Sequence, residues 1–202
     1  IMFDVLIIGG GVSGMSCALV LGSAKNKSFA SDKKIGILTH QKNSSLQEAL
    51  FNNAYGIAPG KLGSELLTES IQHLSTIYPH VLQIPDEKVF KIEGEYPHFK
   101  VSTNKNSYTT KTIVIGIGSA NTFAIEGLMQ FVETHQKSLP EKQRVQLQNK
   151  DHKVTEGIYV IGTLAGWRSQ LAIASGSGAA VATDILTLWN GGVQTHTHDS
   201  IR

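Results

Sequence analysis

The chain has 202 residues, of which 41% are hydrophobic and 17% are charged. This balance is ordinary for a soluble globular protein, and the length suits one substantial domain, so intrinsic disorder and a fibrous repeat are both excluded. The formal net charge is only +2 and the basic residues are scattered along the chain, so nucleic acid is not an expected partner.

The N-terminal part of the chain predicts a strand, a helix and a second strand. Residues 3–8 form a short apolar run rich in β-branched side chains, which indicates a strand buried on both faces of a parallel sheet. Glycines interrupt the run, so it is too short for a signal-peptide core or a membrane span, and we expect a cytoplasmic protein without membrane contact. Apolar spacing then predicts a helix over residues 12–23 and a second parallel strand over residues 35–39.

The rest of the chain continues this alternation and adds an antiparallel segment. Apolar and polar residues alternate between residues 88 and 101, with turn residues between them, which predicts a small antiparallel β-meander. Residues 119–156 are less regular, and their Lys- and Gln-rich stretch, residues 137–153, is expected to lie mostly at the surface. The remaining predicted elements are strands over residues 81–84, 112–118 and 157–162 and helices over residues 61–77 and 170–189.

Together these elements predict an α/β fold with a parallel sheet, helices on both of its faces and the small antiparallel meander. We expect one domain over residues 2–192, followed by a flexible polar tail over residues 193–202. The tail carries His196 and His198, but two histidines in a flexible tail are more often solvated than bound to a metal. No metal site is therefore expected.

A glycine motif lies between the first strand and the first helix. Gly9, Gly11 and Gly14 form a GxGxxG pattern. In this context the first glycine permits a tight turn, the second lets the backbone approach a pyrophosphate, and the third lets the helix pack closely on the strand. The free N–H groups and positive dipole end of the helix then face the phosphates. The alternative is a glycine-rich turn that binds nothing.

The end of the second strand argues against a plain NAD site. Such sites place an Asp or Glu there, about 20 residues beyond the motif, to hold a ribose hydroxyl. Here the strand ends on Thr39 and is followed by His40, and Asp32 lies before the strand. The motif still predicts a dinucleotide.

A second set of motifs lies near the C-terminus. The strand Ile158-Tyr159-Val160-Ile161 ends on Gly162-Thr163 and is followed by Gln170 and by a small-residue run that contains Gly176 and Gly178. Together with the glycine motif, this pattern resembles the FAD domain of thioredoxin reductases and of thioredoxin-reductase-like ferredoxin reductases, within the pyridine nucleotide-disulfide oxidoreductase family. The resemblance covers most of residues 3–118 and 157–189.

This resemblance implies an FAD/NAD(P)-binding Rossmann-like domain with FAD as its cofactor. It assigns no catalytic residue. The residues that it assigns to FAD are Gly9, Gly11, Val12, Ser13, Gly14, Thr39, His40, Asn53, Val89, Gly116, Gly118, Gly162, Thr163, Gln170, Leu171 and Ala172.

The sequence departs from the family pattern at three positions. Thr163 stands where the family has aspartate, Ser169 stands where it has arginine, and Gly116-Ile117-Gly118 replaces Ala-Thr-Gly. Thr163 keeps a hydroxyl that can hydrogen-bond the ribityl chain, but it lacks the charge that strengthens such a bond. The departure at Thr163 predicts weaker binding of FAD.

A whole domain of the family is also missing. The family inserts an NAD(P)H domain, with its own GxGxxG and a CxxC, between the strands that correspond here to residues 112–118 and 157–162. Residues 119–156 are too few for such a domain, because one βαβ unit alone needs about 30 residues, and they contain no second glycine motif. The only cysteine, Cys17, excludes a CxxC dithiol, and we expect it to be buried and inert.

The sequence leaves three hypotheses of function open. The first is a flavin-dependent oxidoreductase that takes its electrons from a partner protein, a diffusing reductant or a directly bound substrate. The second is a non-catalytic FAD-binding module for redox sensing or assembly, and the third is a pocket that is empty or holds another nucleotide. Trp167 and Arg168, just before the last helix, could cover the cofactor, and Trp167 could instead form a homodimer contact.

Overall fold

A computed structural model describes residues 2–42 and 44–198. The described residues contain three α-helices: α1, Val12–Ser23; α2, Gly63–Ile77; and α3, Leu171–Trp189. The described strands are, in chain order, β1, Met2–Ile8; β2, Ile35–Thr39; β3, Leu50–Phe51; β4, Lys61–Leu62; β5, Leu82–Pro85; β6, Val89–Glu95; β7, His98–Thr103; β8, Ser107–Ile115; β9, Val132–Thr134; β10, Val145–Leu147; β11, Lys153–Thr155; and β12, Ile158–Val160.

The main sheet has the order β11-β12-β8-β1-β2-β5, and its central strands are parallel. Strand β11 runs antiparallel to β12, while β6 and β7 form an antiparallel meander that continues from β8. The side chains of Val5, Leu6 and Ile7 in β1 are fully buried, as expected for a parallel strand that is covered on both faces. The predicted α/β class, the parallel sheet and the meander are confirmed.

Alternate residues of β1 point into two separate cores, because side chains alternate across a strand. Val5 and Ile7 pack with residues of the helices, whereas Leu6 and Ile8 pack with the meander and with residues from the 119–165 segment. The described helices therefore bury their apolar residues on one face of the sheet. The expectation of helices on both faces is wrong, since the meander and the 119–165 segment cover the second face.

The irregular segment contributes more core than its composition suggests. It forms the hairpin of β9 and β10, in which Leu147 is fully buried, and Leu128 just before the hairpin is fully buried as well. The prediction that residues 137–153 lie mostly at the surface holds, since most of these residues are exposed and only Gln146 and Leu147 are buried.

By length and composition alone, helix α3 could cross a membrane. In the structure about a third of its apolar stretch is buried inside the domain. The buried residues include Val181, Ala182 and Ile185, which belong to the helix-side core together with residues of α1. Through these residues α3 packs into the core of the domain.

The start of the predicted tail contacts the body of the domain. The hydroxyls of Thr197 and Ser23 lie 2.7 Å apart, and the Thr195 N–H donates to Thr187 Oγ1 at 3.1 Å. Residues 199–202 of the tail lie outside the described residues.

Candidate functional site

The predicted glycines meet at the carboxyl edge of the parallel strands. Gly9 directly follows β1, Gly116 directly follows β8, and Gly162 comes two residues after β12. Strand β1 lies between β2 on one side and β8 on the other, so the chain order reverses beside β1. Ligands of open α/β sheets bind at such a reversal, outside the carboxyl ends of the strands. The fold therefore places the glycine turns where a ligand is expected.

Two glycines of the motif are required by close packing. A Cβ on Gly9 would lie 2.2 Å from the Gly116 carbonyl oxygen, and a Cβ on Gly14 would lie 1.8 Å from the Gly9 carbonyl oxygen. Neither distance is compatible with a side chain. These two glycines thus hold the β1 turn against β8 and α1 against the turn.

Gly11 differs from both. A Cβ there would meet no atom within 4 Å, and Gly11 precedes the first residue of α1 without a side-chain cap. The N–H groups at the start of a helix have no partner inside the helix, and their dipole favours an anion. The open space beside Gly11 is therefore suited to a phosphate, with Val12 at the start of the helix.

Ser13 fills the gap between the glycine turns. It is buried, and its Oγ would lie 2.8 Å from a Cβ on Gly116 and 2.9 Å from a Cβ on Gly162. Its side chain therefore packs the turns together, and only its backbone remains for a ligand.

The end of β2 offers one free polar atom. Thr39 is buried, and its hydroxyl donates to the Ile84 carbonyl oxygen at 3.4 Å. Two residues further on, the side-chain amide of Gln41 donates to the Gly10 carbonyl oxygen at 2.7 Å. Between them, His40 has a buried Nδ1 with no hydrogen-bond partner among the described residues. Buried polar atoms normally have a partner, so a ribose hydroxyl at this strand end would satisfy His40.

The turn after β12 carries Thr163 and is held from two sides. Residues Gly162–Ala165 form a short 3₁₀ turn in which the side chain of Thr163 is half-buried and makes no hydrogen bond to the described residues. The Thr163 carbonyl oxygen lies 2.8 Å from His135 Nε2, and the Gly162 N–H donates to Ser177 Oγ at 2.8 Å. The Thr163 hydroxyl is thus free to bind a ligand.

The remaining predicted residues differ in what they can offer. Gln170 occupies the N-cap position of α3 without a side-chain cap hydrogen bond and is exposed, and Leu171 and Ala172 lie in the first turn of the helix. Gly118 is exposed in open space, where an added Cβ would meet no atom within 4 Å. Asn53 is exposed in the loop between β3 and β4. Val89 is buried in the core of the meander, so only its backbone could contact a cofactor.

Sequence reasoning missed three residues around the Thr163 turn: His135, His152 and Ser177. His152 Nε2 lies 2.9 Å from Ser177 Oγ, and its ring stacks on Trp167 with a centroid distance of 6.3 Å and an interplanar angle of 25°. Lys137 Nζ lies 4.2 Å from the centre of the same Trp167 ring. The only sequence signal was the position of Ser177 between two glycines of the small-residue run.

The two histidines of the tail lie close together. The rings of His196 and His198 lie 4.7 Å apart, but the described residues contain no group of three or more candidate ligands.

Cys17 is fully buried in α1, and this burial raises the pKa of its thiol. Because the thiolate is the reactive form, we expect Cys17 in the native protein not to react with a thiol reagent at pH 8. It should react promptly once guanidinium unfolds the chain. Rapid labelling of the folded protein would show that α1 opens locally.

The comparisons with known proteins concern the family and the fold. The sequence matches the pyridine nucleotide-disulphide oxidoreductase family over residues 3–167, whereas no curated protein matches the chain. A thioredoxin reductase from Gloeobacter violaceus has the same fold, with a TM-score of 0.73 and 15% identity over 100% of this chain and 99% of that chain.

Two further solved structures share the fold. A ferredoxin-flavin thioredoxin reductase from Clostridium acetobutylicum has a TM-score of 0.67 and 15% identity, over 94% of this chain and 99% of that chain. The thioredoxin reductase of T. acidophilum has a TM-score of 0.66 and 15% identity, over 95% of this chain and 99% of that chain. At 15% identity these structures establish the fold alone. The family match rests on the sequence and extends over most of it. The chain belongs to the pyridine nucleotide-disulphide oxidoreductase family.

Proposed function

We propose that this chain binds FAD at the carboxyl edge of its sheet and acts as a flavin-dependent oxidoreductase without an NAD(P)H domain of its own. The observation that carries the proposal is the meeting of the turns at Gly9, Gly116 and Gly162, with open space beside Gly11 at the start of α1. The family match, and the flavin named for the Clostridium acetobutylicum neighbour, support FAD as the dinucleotide.

The residues present fit the parts of FAD. The start of α1 suits the pyrophosphate, the free Nδ1 of His40 suits the adenosine ribose, and the hydroxyl of Thr163 suits the ribityl chain. Bound FAD would supply an isoalloxazine ring that carries electrons. The role of the chain is then to bind and orient the cofactor.

The source of electrons is proposed to lie outside the chain. Residues 119–156, all of which are described, contain no α-helix, and their paired strands β9 and β10 are antiparallel, so they offer no second βαβ unit. Three apolar side chains near the carboxyl edge are partly exposed: Ile117, Trp167 and Ile173. They support the approach of a redox partner protein or of a second copy of this chain, and the cytoplasmic location predicted from the sequence stays a proposal.

The first experiment is the visible spectrum of the purified protein, with identification of the extracted cofactor. We expect a flavin spectrum and FAD in the extract, or uptake of added FAD by the colourless protein. A preparation that is colourless and also fails to take up FAD would contradict the proposal. A bound FAD that fails either to be reduced by dithionite or to be reoxidised by an electron acceptor would favour the second hypothesis, a non-catalytic FAD-binding module.

Replacing Thr163 with aspartate should tighten FAD. A charged acceptor strengthens a hydrogen bond to a ribityl hydroxyl, and a gain of about 1 kcal/mol corresponds to roughly a fivefold lower Kd. Thr163→Val, which keeps the shape and removes the hydroxyl, is the matched control and should weaken binding. Fluorescence titration with FAD measures both. Markedly weaker binding by Thr163→Asp would mean that Thr163 faces another part of the cofactor.

A further inference from the structure

The turn Gly162–Ala165 is held by two imidazoles from different parts of the 119–156 segment. His135 Nδ1 accepts from the Lys137 N–H at 3.1 Å, so its Nε2 carries the proton and donates to the Thr163 carbonyl oxygen at 2.8 Å. On the other side, Ser177 Oγ accepts from the Gly162 N–H at 2.8 Å and lies 2.9 Å from His152 Nε2. The hydrogen bonds of His152, Ser177 and Gly162 form a relay that ends at this turn.

A tight turn fixes the backbone of His152. Asp151 and His152 have φ of 48° and 70°, between Lys150 and Lys153, whose backbone groups exchange hydrogen bonds of 3.0 and 2.9 Å. Positive φ at both central residues is the geometry of a two-residue hairpin turn, so the position of His152 is set by its backbone. The conformation persists here with the His152 ring stacked on Trp167 and within reach of Ser177.

The chemistry of the relay depends on the proton of His152. A serine hydroxyl has one proton to donate and two lone pairs to accept with. Among the described residues the Ser177 hydroxyl has no acceptor other than His152 Nε2, so neutral His152 carries its proton on Nδ1 and Ser177 donates to Nε2. This donation strengthens the bond that Ser177 accepts from the Gly162 N–H. When His152 is protonated, its Nε2–H donates to Ser177 Oγ. The Ser177 hydroxyl proton then no longer points at Nε2, and Ser177 Oγ accepts from both His152 and the Gly162 N–H.

We propose that His152 is a positioning residue for FAD, whose neutral ring acts through Ser177 to hold the Gly162–Thr163 turn in the geometry that binds the cofactor. This inference rests on the proposed function. It predicts that FAD affinity falls when His152 gains a proton, although neither His152 nor Ser177 is required to touch the flavin.

The surroundings of His152 set the pH at which this happens. Burial lowers the pKa of His152 below its ordinary value, and the charges of Asp184 and Asp151 oppose part of that shift. His152 is therefore neutral at pH 7, and it gains its proton only at a lower pH than an ordinary histidine does. The charged or titratable groups that face it are Asp151 from its own turn, Asp184 from α3, Glu133 from β9, and Lys137 across Trp167.

The test is the Kd of FAD between pH 7.5 and pH 5.0, measured on the full chain. In the wild-type protein, affinity should fall as the pH decreases, approaching tenfold per pH unit once His152 is mostly protonated. His152→Gln cannot gain a proton at this position, so the fall in affinity that belongs to His152 should be absent from this variant, whatever its Kd at pH 7.5. Ser177→Ala should bind about tenfold more weakly at pH 7.5, because the Gly162 N–H loses its partner, and should also lose the pH dependence.

A second readout does not depend on affinity. Because linkage is reciprocal, FAD should lower the pKa of His152, which NMR titration of its ring measures in the free and FAD-loaded protein. Asp184→Asn should move both the ring titration and the pH profile of Kd to lower pH. His135→Gln is the control for the second imidazole and should retain the pH profile.

Each outcome decides the proposal. If His152→Gln keeps the wild-type pH profile, or if the profile disappears in His135→Gln instead, the proposal is wrong while the proposed function stands. An unchanged ring titration on loading with FAD would also overturn it. If the folded wild-type protein binds no FAD at any pH, the proposed function itself fails, and the role of His152 fails with it.

Discussion

Gly11→Val is expected to abolish FAD binding and to leave the fold intact. The backbone of Gly11, with φ of −78° and ψ of −170°, is extended and open to valine, and a Cβ there would meet no atom within 4 Å. The new side chain would instead occupy the space through which a pyrophosphate reaches the first N–H groups of α1. We expect Kd to rise at least about a hundredfold, which corresponds to roughly 2.7 kcal/mol.

Two control variants distinguish loss of the phosphate site from loss of the fold. Gly14→Val should destabilise the protein, because its Cβ would lie 1.8 Å from the Gly9 carbonyl oxygen, so loss of binding there would reflect loss of the fold. Ala180→Val adds bulk at an exposed position of α3 and should leave FAD binding unchanged. Circular dichroism and thermal melting check the fold, and FAD titration checks the site. Wild-type affinity in Gly11→Val would place the phosphates elsewhere.

The part of the site around Gly11 could be predicted from sequence because its signals are local. The apolar run before Gly9, the spacing of the three glycines and the apolar period of α1 all lie within residues 2–23, and the structure has a strand, a turn and a helix there. The relay of His152 and Ser177 could not be predicted in this way. Its residues are 25 apart in the chain, and they meet only because the fold brings the turn before β11 next to α3.

The second face of the sheet was mispredicted for a related reason. The composition of residues 137–153 is polar, which is typical of a surface, and the segment has no apolar period that would mark Leu147 as buried. The described helices all pack on the other face, so the face that carries Leu6 and Ile8 needs another cover. The meander and short segments without periodicity supply that cover, and the burial of those segments depends on contacts with the sheet that no local pattern encodes.

Hydride transfer from a nicotinamide requires that its ring be held against the flavin. Holding two reactants in a near-attack geometry contributes about 7 kcal/mol or more to lowering a barrier. In this chain residues 119–156 form short antiparallel strands and 3₁₀ turns, and the only GxGxxG is the one at Gly9, which the proposal assigns to FAD. A nicotinamide could then meet the flavin only in transient encounters.

Neither NADH nor NADPH alone should therefore reduce the bound flavin at an enzymatically useful rate. Without a site that positions the nicotinamide, we expect reduction at least about 10⁴-fold slower than a positioned transfer would be, and a rate that rises linearly with nucleotide concentration. Anaerobic stopped-flow mixing with each nucleotide measures the bleaching of the flavin, and dithionite is the control that shows the flavin to be reducible. Fast bleaching that saturates at low nucleotide concentration would contradict the prediction, because saturation requires a nicotinamide site over the flavin. Slow, unsaturated bleaching would instead direct the search for the electron donor to partner proteins that dock near Ile117 and Trp167.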